Sequence, residues 1–187
     1  MARLDQTPKT VSIVDLSHDG RGVARWPEGH AHAGKTVFVA GALPGETMSV
    51  QQTARSRHFD EAKTLEVIAA SPDRVTPRCP HFGTCGGCVL QHLAEDRQIA
   101  YKQQVLLDNL QRIGHVAPAT VLPPLRGDSW GYRRKGRFSV RRVEKKDKTL
   151  VGFREQDPRV VADIAECHVV VPQLGFKVAE LGVLGDG

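Results

Sequence analysis

The stretch Val11-Ser-Ile-Val-Asp-Leu16, then Asp19-Gly-Arg-Gly22, then Val23-Ala-Arg-Trp26 stopped by Pro27, decides the fold of this chain. Two apolar runs around a glycine-bearing turn read as two short strands. Working outward, Thr36–Ala40 is a third strand, closed by Gly41 and the turn Leu43-Pro-Gly-Glu46. Thr47–Gln51 is a fourth and Ala62–Ile68 a fifth. Five short strands so close together, with Gly and Pro between them, predict a small OB-like barrel over residues 1–70 rather than a generic β-sandwich fragment.

Ser71-Pro-Asp73 and Thr76-Pro-Arg78 read as a linker, so 71–187 forms a second, α+β region. Residues 94–113 carry Ile99, Leu106, Leu110 and Ile113 at helical spacing, with Glu95 and Asp96 in the first turn and Gly114 placed as the residue after the cap. Tyr132–Val143 and Thr149–Phe153 read as a hairpin around Glu144-Lys-Lys-Asp-Lys148, and Val160–Ile164 as a further strand. The final Gly182-Val-Leu-Gly-Asp-Gly187 offers no evident structural close.

Composition narrows the function classes. The chain has 187 residues, 40% hydrophobic and 25% charged, enough apolar content for a core and room for one ordinary domain or two small ones. No apolar run is long enough to span a membrane, and the first residues lack the apolar stretch of a secretory signal. Lys and Arg number 26 against 21 Asp and Glu, a net charge of +5 that favours a polyanionic partner. Aromatics are 5% of the chain, so any stacking surface is small.

Four cysteines without an export signal point to a reducing compartment and hence to metal or redox chemistry rather than disulfides. Cys79, Cys85 and Cys88 form C-x5-C-x2-C, and Cys167 follows far downstream. Two residues between cysteines let one tight turn aim both sulfurs at one centre, and Gly86-Gly87 removes Cβ atoms beside it. Spacing alone leaves an iron–sulfur cluster, a zinc ion completed by His81 or His92, and free redox thiols all open.

Cys79-Pro-His-Phe-Gly-Thr-Cys-Gly-Gly-Cys88 with Gln91-His92, Tyr132-Arg-Arg-Lys-Gly-Arg-Phe138, Val151-Gly-Phe-Arg-Glu155 and then Cys167 together resemble the bacterial 23S rRNA (uracil-5-)-methyltransferases. The strands before them resemble a TRAM domain, an RNA-binding barrel of one branch of that family. The resemblance implies a mainly β chain: a five-stranded TRAM barrel followed by the iron–sulfur segment of an incomplete central domain. It implies a [4Fe-4S] cluster on Cys79, Cys85, Cys88 and Cys167, 23S rRNA as partner, and a cytoplasmic monomer. Family enzymes continue into an S-adenosylmethionine-binding domain that carries a nucleophilic cysteine. Here no cofactor signature follows Cys167 and no cysteine is left over, so the chain reads as the N-terminal portion of such an enzyme, inactive alone and without catalytic residues.

Arg133, Lys135, Arg137 and Arg141 would share one face of an extended strand, suited to a phosphate backbone, with Tyr132 and Phe138 available to stack on bases. In the barrel, Arg21 and Arg25 lead the candidate phosphate contacts, ahead of Lys35, Arg55, Arg57 and His58. Two rival readings stay open: a stand-alone nucleic-acid-binding module with zinc, and an iron–sulfur redox protein.

Overall fold

Alternation sets the barrel. In a strand, successive side chains face opposite sides. Thr36–Ala40 therefore buries Val37 and Val39 while Phe38 faces outward, and Thr47–Arg55 buries Met48, Val50 and Gln52. The computed structural model describes residues 4–184. Its first sheet holds β1 (Lys9–Ser12), β2 (Asp15–Leu16), β3 (Gly22–Arg25), β4 (Thr36–Ala40), β5 (Thr47–Arg55) and β6 (Phe59–Ala69), in the order β1-β5-β6-β4-β3-β2. β4 and β6 run parallel; the other pairs are antiparallel.

The sequence reading expects one strand over Val11–Leu16, but the structure splits it. Ile13 N–H donates to the Glu46 carbonyl and Val14 N–H to the Val23 carbonyl, each at 2.9 Å. The chain thus leaves β5 and joins β3 within two residues, so the two ends of the six-stranded order are halves of one stretch. That partner switch curls the sheet into a half-barrel. Register shifts along β5 and β6 add local twist. β5 and β6 also extend beyond their predicted bounds into a hairpin at Ser56, whose N–H and hydroxyl both donate to the Phe59 carbonyl.

Inside lie Val11, Ile13, Ala24, Trp26, Val37, Val39, Met48 and Val50. Three buried polar groups are satisfied together: Asp60 accepts from Trp26 Nε1 (2.8 Å), from Gln52 Nε2 (2.9 Å) and from Lys35 Nζ. Buried Glu46 accepts from Leu43 N–H (2.8 Å), Ser71 N–H (3.2 Å) and the Arg74 guanidinium.

The chain forms two compact units: the first runs to Thr76 and includes His92–Tyr101, and the second holds Pro77–Gln91 and the chain from Lys102. The predicted helix is present as α1 (Glu95–Arg112), but no residue on its apolar face is buried among the described residues. Its left-handed end residue is His115 (φ 52°), not Gly114 as expected; the N–H of Val116 then caps the Leu110 carbonyl at 2.9 Å.

The second unit carries a shorter hairpin than the sequence suggests, β7 (Ser139–Val143) and β8 (Lys148–Gly152), joined by a 3-10 turn over Glu144–Lys146. Residues 132–138 are not part of it. Val160–Ile164 forms no full strand either; it meets 153–155 through Ala162 N–H to the Phe153 carbonyl (2.9 Å) and Glu155 N–H to the Val160 carbonyl (3.0 Å). Helices α2 (Pro172–Gly175) and α3 (Val178–Val183) follow, so Gly182 and Val183 are helical, whereas the last three residues lie outside the described part. Val151, Ala162, Ile164, Val169, Val170 and Val178 form this unit's core, and Cys167 is buried among them.

Candidate metal centre

The loop from Cys79 to Cys88 is a series of tight turns: Phe82 N–H bonds the Cys79 carbonyl at 3.1 Å and Cys85 N–H the His81 carbonyl at 2.9 Å. Gln91 holds its start by accepting from Cys79 N–H at 3.2 Å. Its far end is tied to the chain after β8, where Gly86 N–H donates to the Arg154 carbonyl at 2.9 Å. The glycine pair serves this approach. A Cβ on Gly86 would stand 2.8 Å from the Arg154 oxygen, and one on Gly87 2.8 Å from the Phe153 ring. Neither residue has a positive φ, so close packing, not the sharp turn expected from the sequence, requires glycine here. Gly87 N–H also points at Cys85 Sγ, 3.4 Å away.

Cys167 comes from the segment before α2. Its N–H donates to the Gly175 carbonyl of α2 at 2.8 Å. All four cysteines line one pocket, walled by Phe82, Phe153, Ile164 and Val169. None is in a disulfide. Burial pushes the Cys79 and Cys85 thiols up, and the neighbouring Cys88 and Cys167 sulfurs push the same way. Thiolates gathered here need cationic partners to offset both burial and mutual repulsion. Among the described residues, no three His, Cys, Asp or Glu side chains close on a point that would hold a single metal ion.

Of the two histidines of the zinc reading, His81 lines the cysteine pocket. His81 Nε2 accepts from Ala165 N–H at 3.3 Å, joining the cysteine loop to the segment that carries Cys167. His92 belongs to the barrel unit, where burial, then the charge of Arg74, lowers its pKa to about 4.

The basic run is divided. Arg133 is held by its backbone, with N–H to the Val169 carbonyl at 2.8 Å, and its guanidinium lies over the Phe153 ring at 5.5 Å. Lys135 and Arg137 are exposed in the irregular stretch before β7, and Arg141 on β7 donates to the Arg159 carbonyl at 2.6 Å. The common strand face expected of the four is therefore not formed as a single strand. Phe138 packs edge-on against Phe153 at 4.9 Å in the core, whereas Tyr132 is 52% exposed. In the barrel, Arg21 pairs with Asp19 (2.7 Å) and Glu61 (3.0 Å) and lies over Phe38 at 4.7 Å. Arg25 donates to the Gly34 carbonyl at 2.8 Å. No helix among the described residues is long and apolar enough to cross a membrane.

Comparison with known proteins places these features. Residues 7–63 match the TRAM domain family. A 23S rRNA (uracil(1939)-C(5))-methyltransferase RlmD of Stenotrophomonas maltophilia (strain R551-3) is 71% identical over 180 residues, covering 96% of this chain and 40% of the relative. The protein of the same name from Xanthomonas campestris pv. campestris (strain 8004) is 66% identical over 185 residues, 99% of this chain and 41% of its own. The chain thus contains a TRAM domain and is a homologue of these methyltransferases over about 40% of their length. Among solved structures, the tRNA (uracil-54, C5)-methyltransferase of Pyrococcus abyssi with S-adenosyl-L-homocysteine aligns with a TM-score of 0.54 at 23% identity, covering 91% of this chain and 35% of that one. At that identity the likeness speaks for the fold alone.

Proposed function

We propose that this chain, as a homologue of the bacterial 23S rRNA (uracil-C5)-methyltransferases, is the RNA-docking and cluster-binding part of such an enzyme. The whole enzyme would transfer a methyl group from S-adenosylmethionine to carbon 5 of a 23S rRNA uridine, as a cytoplasmic monomer. The residues here supply none of that chemistry. With all four cysteines committed to one pocket, none is left to attack the uracil ring.

The observation that carries the reading is the convergence of Cys79, Cys85, Cys88 and Cys167 on one apolar-walled pocket. Their chemistry fits a [4Fe-4S] cluster. A structural zinc ion would need every sulfur ~2.3 Å from one point. A cubane gives each thiolate its own iron and asks for a wider spread. When bound, the cluster would supply cationic iron that keeps the four sulfurs deprotonated and cross-links the loop to the segment before α2. The protein's part is to hold the sulfurs: Gln91 and Arg154 fix the loop, and Gly175 fixes Cys167.

Anaerobic purification tests this. The expected product is brown, with about four irons per chain, as one such cluster requires. A zinc-loaded, iron-free product would overturn the cluster, and failure to bind a 23S rRNA fragment would overturn the docking role.

A further inference from the structure

The Cys167 segment also carries an aromatic array, centred on His168, which itself lines the cysteine pocket. Gly131 N–H donates to the His168 carbonyl at 2.9 Å, Arg133 N–H to the Val169 carbonyl at 2.8 Å, and Val171 N–H to the Arg133 carbonyl at 3.2 Å. Residues 131–133 thus run beside 168–171, and the pairing brings distant aromatics together. Trp130 meets His168 edge to face, centroids 6.3 Å apart. The short helix α2 then turns the chain so that Phe176 meets the same His168 at 5.6 Å, again near-perpendicular. At the other end, the Arg78 guanidinium covers the Trp130 ring at 5.0 Å.

Arg78, Trp130, His168 and Phe176 are therefore linked contact by contact. The inner members are packed, but Phe176 is 51% exposed, and Tyr132, two residues after Trp130, is 52% exposed. Half-exposed rings contribute little to a core. The charged side chains tied to this array are Arg78 over Trp130, Glu166, engaged by His168 at 2.9 Å, and Lys177, next to Phe176 in the chain and paired with Glu180 at 3.5 Å.

We propose that Phe176, with Tyr132 and the Arg78–Trp130 pair, is a stacking site for unpaired bases of RNA. The proposal rests on the RNA-docking role above and deepens it, placing base contact beside the Cys167 segment rather than on the basic run. Flat π-faces flanked by guanidinium and ammonium groups suit single-stranded nucleic acid: every base has a face to stack, and the phosphates meet the cations. Paired bases have no free face, so the site distinguishes a single strand from a duplex.

The test uses the 187-residue chain, anisotropy of a labelled oligouridylate and of an RNA duplex, and the variants Phe176→Ala, Phe176→Trp and Tyr132→Ala. Phe176→Ala should weaken single-strand binding roughly five- to 150-fold, the worth of one stacked base. Its salt dependence should not change, because no phosphate contact is lost. Duplex binding should hardly move, and Phe176→Trp should restore affinity. Iron content and melting temperature must match the parent; a weakening that tracks their loss would make Phe176 a structural residue and overturn the proposal. Should Phe176→Ala fail to fold, Tyr132→Ala gives the second reading. Parent-like affinity in Phe176→Ala, while the parent binds RNA, overturns the stacking site alone and leaves the ring to another polypeptide. If the parent binds no RNA, the docking role falls as well.

Discussion

Gly175 stands against Cys167 so closely that a Cβ added to it would lie 2.3 Å from the Cys167 carbonyl oxygen, while its own carbonyl accepts the Cys167 N–H at 2.8 Å. The buried cysteine of the candidate centre is thus positioned by a residue with no side chain at all. α2 must approach through backbone alone.

Gly175→Ala should therefore push α2 away from Cys167. Overpacking of this kind costs about 1–3 kcal/mol, and the displaced sulfur should lower the iron bound per chain. Denaturant unfolding and iron analysis on the same preparation measure both. An alanine variant with parental stability and iron would show that α2 yields without moving Cys167.

The barrel should weaken in mild acid. His92 is buried, and its pKa falls from 6.5 to about 4 through burial and then the charge of Arg74. Between those values the unfolded chain takes up a proton that the folded chain refuses, so stability drops as pH falls from 6.5 to 4 and this contribution levels off below. The total is on the order of 3 kcal/mol. At lower pH, Glu46 and Asp60 act in the same direction. Burial works to raise each pKa, but hydrogen bonds from Arg74 to Glu46 and from Lys35 and Trp26 to Asp60 outweigh it. Their stabilisation is full above the ordinary carboxylate range and is lost as pH falls through the lowered values. Urea unfolding followed by circular dichroism at pH 7 and pH ~4.5 should show the His92 slope, and His92→Gln should flatten it. An equal slope in that variant would remove His92 as the cause.

What could be read in advance follows from the range of the interactions. Val37 and Val39 alternate with outward residues, a local pattern visible without the fold, so the strands and the barrel class were legible. The partner switch at Ile13 and Val14 depends on where Glu46 and Val23 come to lie, and no local signal marks it. Arg55–His58 reads as a polar loop, which hid the length of the β5–β6 hairpin. Helical period identified α1 but said nothing of what covers Leu106 and Ile113. The cysteine spacing pointed to a centre, whereas the reason for Gly86 and Gly87 lies in Arg154 and Phe153, which only the fold brings near. Arg133 alternates like a hairpin residue yet pairs with Val169 and Val171. Phe176 carried no sequence signal, because its neighbour His168 meets it only through the turn of α2.

Arg137 offers the clearest test of the basic run, since it is exposed before β7 whereas Arg133 is held over Phe153 beside the centre. If Arg137 meets a phosphate, its counterion is released on binding, and the log–log salt slope for single-stranded RNA should fall by about 0.7 when the contact is lost. Arg137→Glu should weaken binding to many sequences alike, because a phosphate contact carries no base identity. The change in slope separates this residue from Phe176, whose loss should leave the slope intact. Iron content should stay at the parental level, as the side chain lies outside the cysteine pocket. Titrations of parent and variant at several salt concentrations, with two unrelated RNA sequences, decide the matter. An unchanged slope and affinity would make this stretch an ordinary solvated edge and shift phosphate recognition to the barrel.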